Sequence, residues 1–280
     1  MKNLKITFVN EWHCGDVHMS RNYVKDLMNI IGSDHTYTFY HKNDLSLLGD
    51  IPQLKSTNTI PTDSDMYINT WIGQYIHSGI PFEGCNFLSY YGVMKKLYEN
   101  LGILNNIKPM IEYIPSIDYS YFRRSSIDNY FELNKNKYIL ICNNNVMSGQ
   151  APNFSMNFLI DTLAVEYPNY TFICTNPSTS IDKYSNVIYA NDIINADLKS
   201  NLNEISYIST NCQLIIGRSS GPYSFSLTKE NILNKKFICF CNKKADNWYH
   251  SFDDSQYPIW SNDYSENNIL NVVKGVLGNI

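Results

Sequence analysis

Apolar residues along this chain fall into short runs that alternate with amphipathic stretches. Near the N-terminus the run Lys5–Val9 reads as a buried strand, and Met19–Ile31 as a helix with Val24, Leu27, Met28 and Ile31 on one stripe. Thr36–Tyr40 and Asp65–Thr70 read as further strands, the latter with Met66, Ile68 and Thr70 on one face. Asn86–Leu101 is helical and stops at Gly102, and Ile111–Ile114 before Pro115 reads as a short strand. Ser125–Lys137 reads as a polar helix or linker.

The second half repeats the rhythm. Tyr138–Cys142, Thr171–Cys174, Val187–Tyr189, Gln213–Ile216 and Lys236–Cys241 read as strands. Phe154–Glu166, Asn201–Thr210, a segment opening at Tyr223–Leu227, and Glu266–Val276 read as helices, the last one able to pack back across the domain junction. Strands alternating with helices of this length imply parallel sheets with right-handed crossovers. The fold class expected is α/β, with two Rossmann-like parallel-sheet domains facing a cleft. The boundaries expected are 1–134 for an acceptor-side domain and 135–280 for a nucleotide-sugar-binding domain.

Two glycine-marked turns stand where open α/β sheets place ligands, after the carboxyl end of a strand. The first is Gly15-Asp16-Val17-His18, after Ile6–Val9; the second is Gly217-Arg218-Ser219-Ser220-Gly221-Pro222, after Leu214–Ile216. In the second, Gly217 and Gly221 let the backbone approach a ligand, Pro222 suits the first position of a helix, and the free amides there attract phosphate. Ser219 and Ser220 add hydroxyls and Arg218 a positive charge; the competing reading is a serine N-cap with no ligand. In the first turn, Asp16 can act as a general base on a substrate hydroxyl or simply cap the helix that follows, with His13 and His18 flanking it.

Composition narrows the classes. A net charge of −4 with only four arginines argues against a nucleic-acid binder, which carries a basic stripe. The pair Arg123-Arg124 reads as a solvated edge or, second, as an anion contact. Seven cysteines without zinc spacing, three of them inside apolar runs, read as small buried hydrophobes in a reducing compartment. No apolar stretch reaches membrane-spanning length and no leader is evident, so the expected location is cytoplasmic, with docking at a membrane surface open.

Together the two turns carry a resemblance. Lys5–Leu27 resembles the opening of the heptosyltransferase family of GT-B glycosyltransferases, Leu214–Phe225 resembles that family's strand, Asp-Ser/Thr-Gly turn and helix, and Tyr138–Asn144 resembles the strand and loop that open its donor domain. The resemblance implies metal-independent, inverting transfer of a sugar from a nucleotide-diphosphate donor to a glycan or lipid-linked acceptor, with no cofactor. It places Asp16 as the base, with His13, Gly15 and His18 on the acceptor side. It places Arg218, Ser219, Ser220, Gly221, Pro222, Asn143, Asn144 and Asp182 around the donor. The sequence departs from the family at Ser219, where an aspartate is usual, and across Asn143–Ala151, which lacks the usual basic residue. His18 lies out of the family register, and Asp182 is the counterpart of the ribose-contacting acid.

Two other readings remain beside it, a sugar-nucleotide epimerase and a non-catalytic sugar- or nucleotide-binding protein of the same fold. Asp63-Ser64-Asp65 matches the metal-binding Asp-x-Asp of GT-A transferases, but precedes a strand rather than ending one. Tyr90-Tyr91, Tyr119–Phe122 and Trp248-Tyr249 can stack on sugar rings, with packing as the alternative, and Asp253-Asp254 reads as a polar loop.

Overall fold

The computed structural model describes residues 3–77, 90–243 and 258–280, so Trp248-Tyr249 and Asp253-Asp254 lie outside the described residues. The chain divides into two compact units, Met1–Tyr121 and Phe122–Ile280.

The first unit contains β1 (Lys5–Val9), α1 (Cys14–Ile31), β2 (Thr36–Tyr40), β3 (Leu54–Thr57), β4 (Met66–Asn69), β5 (Gln74–Ile76) and α2 (Tyr90–Asn100). Its sheet has the order β3-β2-β1-β4-β5. The first four strands are parallel, and β5 turns back antiparallel on β4, pairing Tyr67 with Ile76. Gly73, at φ 67° in the turn between them, takes a backbone conformation that side chains disfavour. Ile6, Phe8, Phe39 and Ile68 from the strands meet Val17, Val24 and Leu27 of α1 and Met94 and Leu97 of α2 in one core.

The chain enters α1 at Cys14, well ahead of the expected Met19. The cause is local: the Asp16 carboxylate accepts a hydrogen bond from the His13 amide at 2.9 Å, closing the first turn. Gly15 and Asp16 are therefore helical residues rather than a turn. The strand expected over Ile111–Ile114 is a 3-10 turn, Met110–Tyr113, set between Pro109 and Pro115, where prolines limit ladder pairing.

The second unit contains α3 (Ser125–Leu133), β6 (Lys137–Cys142), α4 (Asn157–Glu166), β7 (Tyr170–Cys174), β8 (Val187–Tyr189), α5 (Ala190–Ile194), α6 (Leu202–Thr210), β9 (Leu214–Arg218), α7 (Gly221–Ser226), α8 (Lys229–Asn234), β10 (Lys236–Phe240), β11 (Ile259–Ser261) and α9 (Glu266–Leu277). Its sheet is parallel throughout, in the order β11-β10-β9-β6-β7-β8. The central strands β6, β7 and β9 are buried on both faces, which is why they read as unbroken apolar runs.

α9 packs on α4. Ile269, Val273 and Leu277 join Leu159, Ile160 and Leu163 of α4 in the second core, and each such fully buried side chain contributes about 1.5–3 kcal/mol. α3 also belongs here: Ile127 is fully buried, Ser126 donates to the Ile194 carbonyl at 2.6 Å, and Tyr207 donates to Asp128 at 2.5 Å. The junction thus precedes α3, whereas the sequence pattern places it after residue 134, because a polar helix with one buried position reads as linker. Among the described residues, no helix is long and apolar enough to cross a membrane.

Candidate active site

In both sheets the strand order reverses at an interior pair, and the crevice beyond the carboxyl ends of such a pair is where open α/β sheets bind ligands. The reversal lies between β1 and β4 in the first sheet and between β6 and β9 in the second. The segments that follow β1, β6 and β9, loops running into helix starts, hold most of the expected site residues.

In the first unit Asp16 sits in the opening turn of α1, just past β1, and is only 4% exposed. One carboxylate oxygen accepts from the His13 amide and the other from the Tyr90 hydroxyl at 2.6 Å. Burial pushes its pKa above the ordinary carboxylate value, while the bonds from Tyr90 and His13 pull the other way. Burial and the neighbouring carboxylate hold the Tyr90 phenol well above its usual pKa, so Tyr90 remains the donor. The His13 ring lies 3.8 Å from Asp16 and is half exposed, and Gly15 is partly exposed. His18 is fully buried in α1.

Two tryptophans that sequence reasoning passed over are linked to Asp16 through Tyr90. Asn10 and Asn69 each accept, through the side-chain oxygen, the amide hydrogen of the residue two further on, Trp12 at 3.1 Å and Trp71 at 2.9 Å. Asn10 also donates to the Thr70 hydroxyl at 3.1 Å, tying the two loops together. The indole rings lie 5.2 Å apart, and Trp71 meets Tyr90 edge-on at 6.4 Å. The signal was present as two Asn-x-Trp triplets, each at a strand end.

In the second unit, β9 ends at Arg218 and a tight turn, with the Ser220 amide on the Arg218 carbonyl at 2.7 Å, leads into α7 with Pro222 in its first turn. Arg218 is buried, not presented to a ligand. Its guanidinium donates to the carbonyls of Phe154 at 2.6 Å and of Asn143 and Asn144 at 2.8 Å each, and lies 5.1 Å from the Phe154 ring. Arg218 therefore clamps the loop after β6. Asn143 and Asn144 brace the same loop against the one after β7: Asn143 exchanges hydrogen bonds with the Asn176 backbone at 2.8 and 2.9 Å, and Asn144 accepts from Thr175.

Ser219 and Ser220 are different. Both are buried, and neither hydroxyl has a hydrogen-bond partner among the described residues. An orphaned buried hydroxyl costs about 1–3 kcal/mol. Gly217 is not a point of ligand approach: a Cβ there would stand 2.7 Å from the Cys142 Cβ and 3.1 Å from the Tyr223 ring. Asp182 is exposed in the turns between β7 and β8.

No protein-family model matches the chain, and no curated protein sequence matches it. Solved structures do match. A glycosyl transferase family 9 protein of Veillonella parvula superposes with a TM-score of 0.57 at 11% identity, over 97% of this chain and 89% of that one. The E. coli heptosyltransferase WaaC, solved with ADP-2-deoxy-2-fluoro heptose, gives 0.57 at 9% identity over 99% of both chains. The E. coli ADP-heptose lps heptosyltransferase II gives 0.50 at 12% identity, again over 99% of both. The fold is the GT-B fold of the heptosyltransferases.

With that fold in place, the competing motifs resolve locally. Asp63 pairs with Lys5 at 2.5 Å and Asp65 accepts from the Lys5 amide at 2.9 Å, so the Asp-x-Asp segment lies at the amino ends of β1 and β4, opposite the site. Arg124 pairs with Asp128 at 3.0 Å and lies over the Tyr207 ring. A cavity of about 640 Å³, lined in part by Lys25, His35, Tyr37 and Asp50, sits at the end of α1 and the start of β2, also away from the strand carboxyl ends.

Proposed function

We propose that the chain is an inverting, metal-independent glycosyltransferase that moves a sugar from a nucleotide-diphosphate donor to a hydroxyl acceptor. The first unit supplies the acceptor side and the second the nucleotide-sugar side. The acceptor oxygen attacks the anomeric carbon as the bond from that carbon to the diphosphate oxygen breaks. Asp16 takes the proton from the attacking hydroxyl, and the nucleoside diphosphate departs with the electron pair of the broken bond.

The observation that carries this reading is Asp16 itself, a carboxylate at the switch point of a GT-B sheet with its pKa raised by burial. A base works best when its pKa is moved toward the operating pH. On the donor side, Ser219, Ser220 and the Gly221 amide face the diphosphate, with Arg218, Asn143 and Asn144 holding the neighbouring loop in shape. Stabilising the charge that develops on the departing diphosphate is the largest contribution such groups make. Asp63 and Asp65 are engaged with Lys5 and play no part at the donor.

One observation favours a second reading. Arg218 is committed to loop carbonyls, which leaves the donor loop without a presented cation, as in a sugar- or nucleotide-binding protein of the same fold that has lost catalysis.

A thermal-shift panel of ADP-, GDP-, UDP-, dTDP- and CMP-linked sugars tests the donor assignment. A ligand at about 100 times its Kd adds ~2.7 kcal/mol of stability. One responding nucleotide class, followed by release of the free nucleotide on addition of an acceptor, is the expected result. Binding without turnover across a broad acceptor panel supports the second reading, and no shift at millimolar ligand contradicts both.

A further inference from the structure

The aromatic set at the first switch point specifies what kind of acceptor it takes. Trp12 is 47% exposed, an unusual state for so large an apolar side chain, and its ring is tilted 34° to that of Trp71. The Asn10 and Asn69 hydrogen bonds to their backbones fix both loops, so the exposed ring is held rather than loose. Through Trp71 and Tyr90 the set is continuous with Asp16.

Charge decides between ligand classes. The charged side chains next to Trp12 are Glu11 and Lys42, which pair with each other at 3.0 Å, and Glu11 also accepts from Tyr40. Among the described residues the other titratable side chains of the set, tyrosines aside, are Asp16 and His13, whose ring lies 3.8 Å from that carboxylate. A phosphorylated or carboxylated ligand would bring a second negative group to a place where Asp16 already faces His13. A neutral sugar would not. The C–H-bearing face of a pyranose is apolar and slightly positive, and matches the negative face of an indole.

We propose that Trp12 and Trp71 form the acceptor subsite, and that the residue they bind is an uncharged pyranose stacked on the exposed indole, its reacting hydroxyl served by Asp16. The inference rests on the transferase reading above for the identity of that base.

Binding is measured without donor, by tryptophan fluorescence, using methyl glycosides of neutral hexopyranoses alongside the matching uronic acid and sugar phosphate. The neutral glycosides are expected to bind with little dependence on salt. Trp12→Ala should weaken them roughly tenfold, the size of a lost aromatic contact of about 1.4 kcal/mol. Trp12→Phe should keep most of the affinity, and both variants are compared with the parent well below their melting temperatures, since the ring is also half buried against Trp71. Tighter binding of the charged sugars, equal binding by Trp12→Ala, or no binding of any glycoside overturns the proposal.

A donor-dependent assay separates this from the transferase reading. Trp12-dependent glycoside binding with no turnover sinks the transferase and leaves the subsite standing. Turnover whose acceptor KM is indifferent to Trp12→Ala does the reverse.

Discussion

Arg218 offers the sharpest separation of a structural role from a ligand-binding one. Replacing it with alanine removes three hydrogen bonds to the Phe154, Asn143 and Asn144 carbonyls, at 2.6, 2.8 and 2.8 Å, and a ring contact with Phe154. Hydrogen bonds to a charged group contribute about 1.5–3 kcal/mol each, for a gross loss of roughly 4–9 kcal/mol. Against this stands the relief of keeping a guanidinium buried, a strain also seen in its lowered pKa, which burial causes. The net destabilisation expected is about 3–5 kcal/mol. At ~2–4 °C per kcal/mol, the melting temperature should fall by roughly 6–20 °C in the absence of any ligand.

Calorimetry of the free protein reads this directly. Arg218→Lys should fall in between, because one ammonium cannot replace a planar fork that reaches three carbonyls. Nucleotide affinity, measured well below the melting point, should drop as well, because the loop after β6 loses its clamp. If Arg218→Ala melts within about 1 °C of the parent yet loses nucleotide binding, Arg218 is the diphosphate cation and the clamp interpretation is wrong.

Other substitutions probe the remaining parts. Ser219→Ala and Ser220→Ala each delete a buried hydroxyl with no partner among the described residues, so the free protein should be as stable or slightly more so, while donor affinity falls; a fall in stability would count against a ligand role. Tyr90→Phe removes a hydrogen bond that favours the ionised Asp16, so the Asp16 pKa rises further. Because the base must be ionised, the acid limb of the kcat/KM profile should move to higher pH, and an unmoved or lowered limb would exclude Asp16 as the titrating base. Gly217→Ala forces a Cβ to within 2.7 Å of Cys142 and should cost about 1–3 kcal/mol in a urea melt, with no change in nucleotide affinity beyond that.

The parallel core was readable because strands buried on both faces leave unbroken apolar runs, as in Tyr138–Cys142 and Leu214–Ile216. Three of the four edge strands were not, unlike Val187–Tyr189: Leu54–Thr57, Gln74–Ile76 and Ile259–Ser261 are short and partly exposed, so no apolar period marks them. Ile111–Ile114 carried a strand-like pattern that its flanking prolines overrode. Asp16, Ser219 and Ser220 drew attention by their places after strands, and all three are buried there. The tryptophans were missed because each reads singly as a surface aromatic, and only the pairing of β1 with β4 brings them together. Arg218 and His18 were found but given the wrong surroundings, since burial of a polar side chain has no mark in a single sequence.

The most direct test of the central claim is sugar transfer by Asp16→Asn, with the nucleotide that the binding panel identifies and a neutral glycoside as acceptor. Asparagine keeps the shape of the site but cannot take a proton. The expected result is donor affinity close to that of the parent with transfer reduced by a factor of ~10² or more, the range general-base catalysis contributes. Transfer at the parent rate would contradict the assignment of Asp16, and with it the mechanism proposed for this chain.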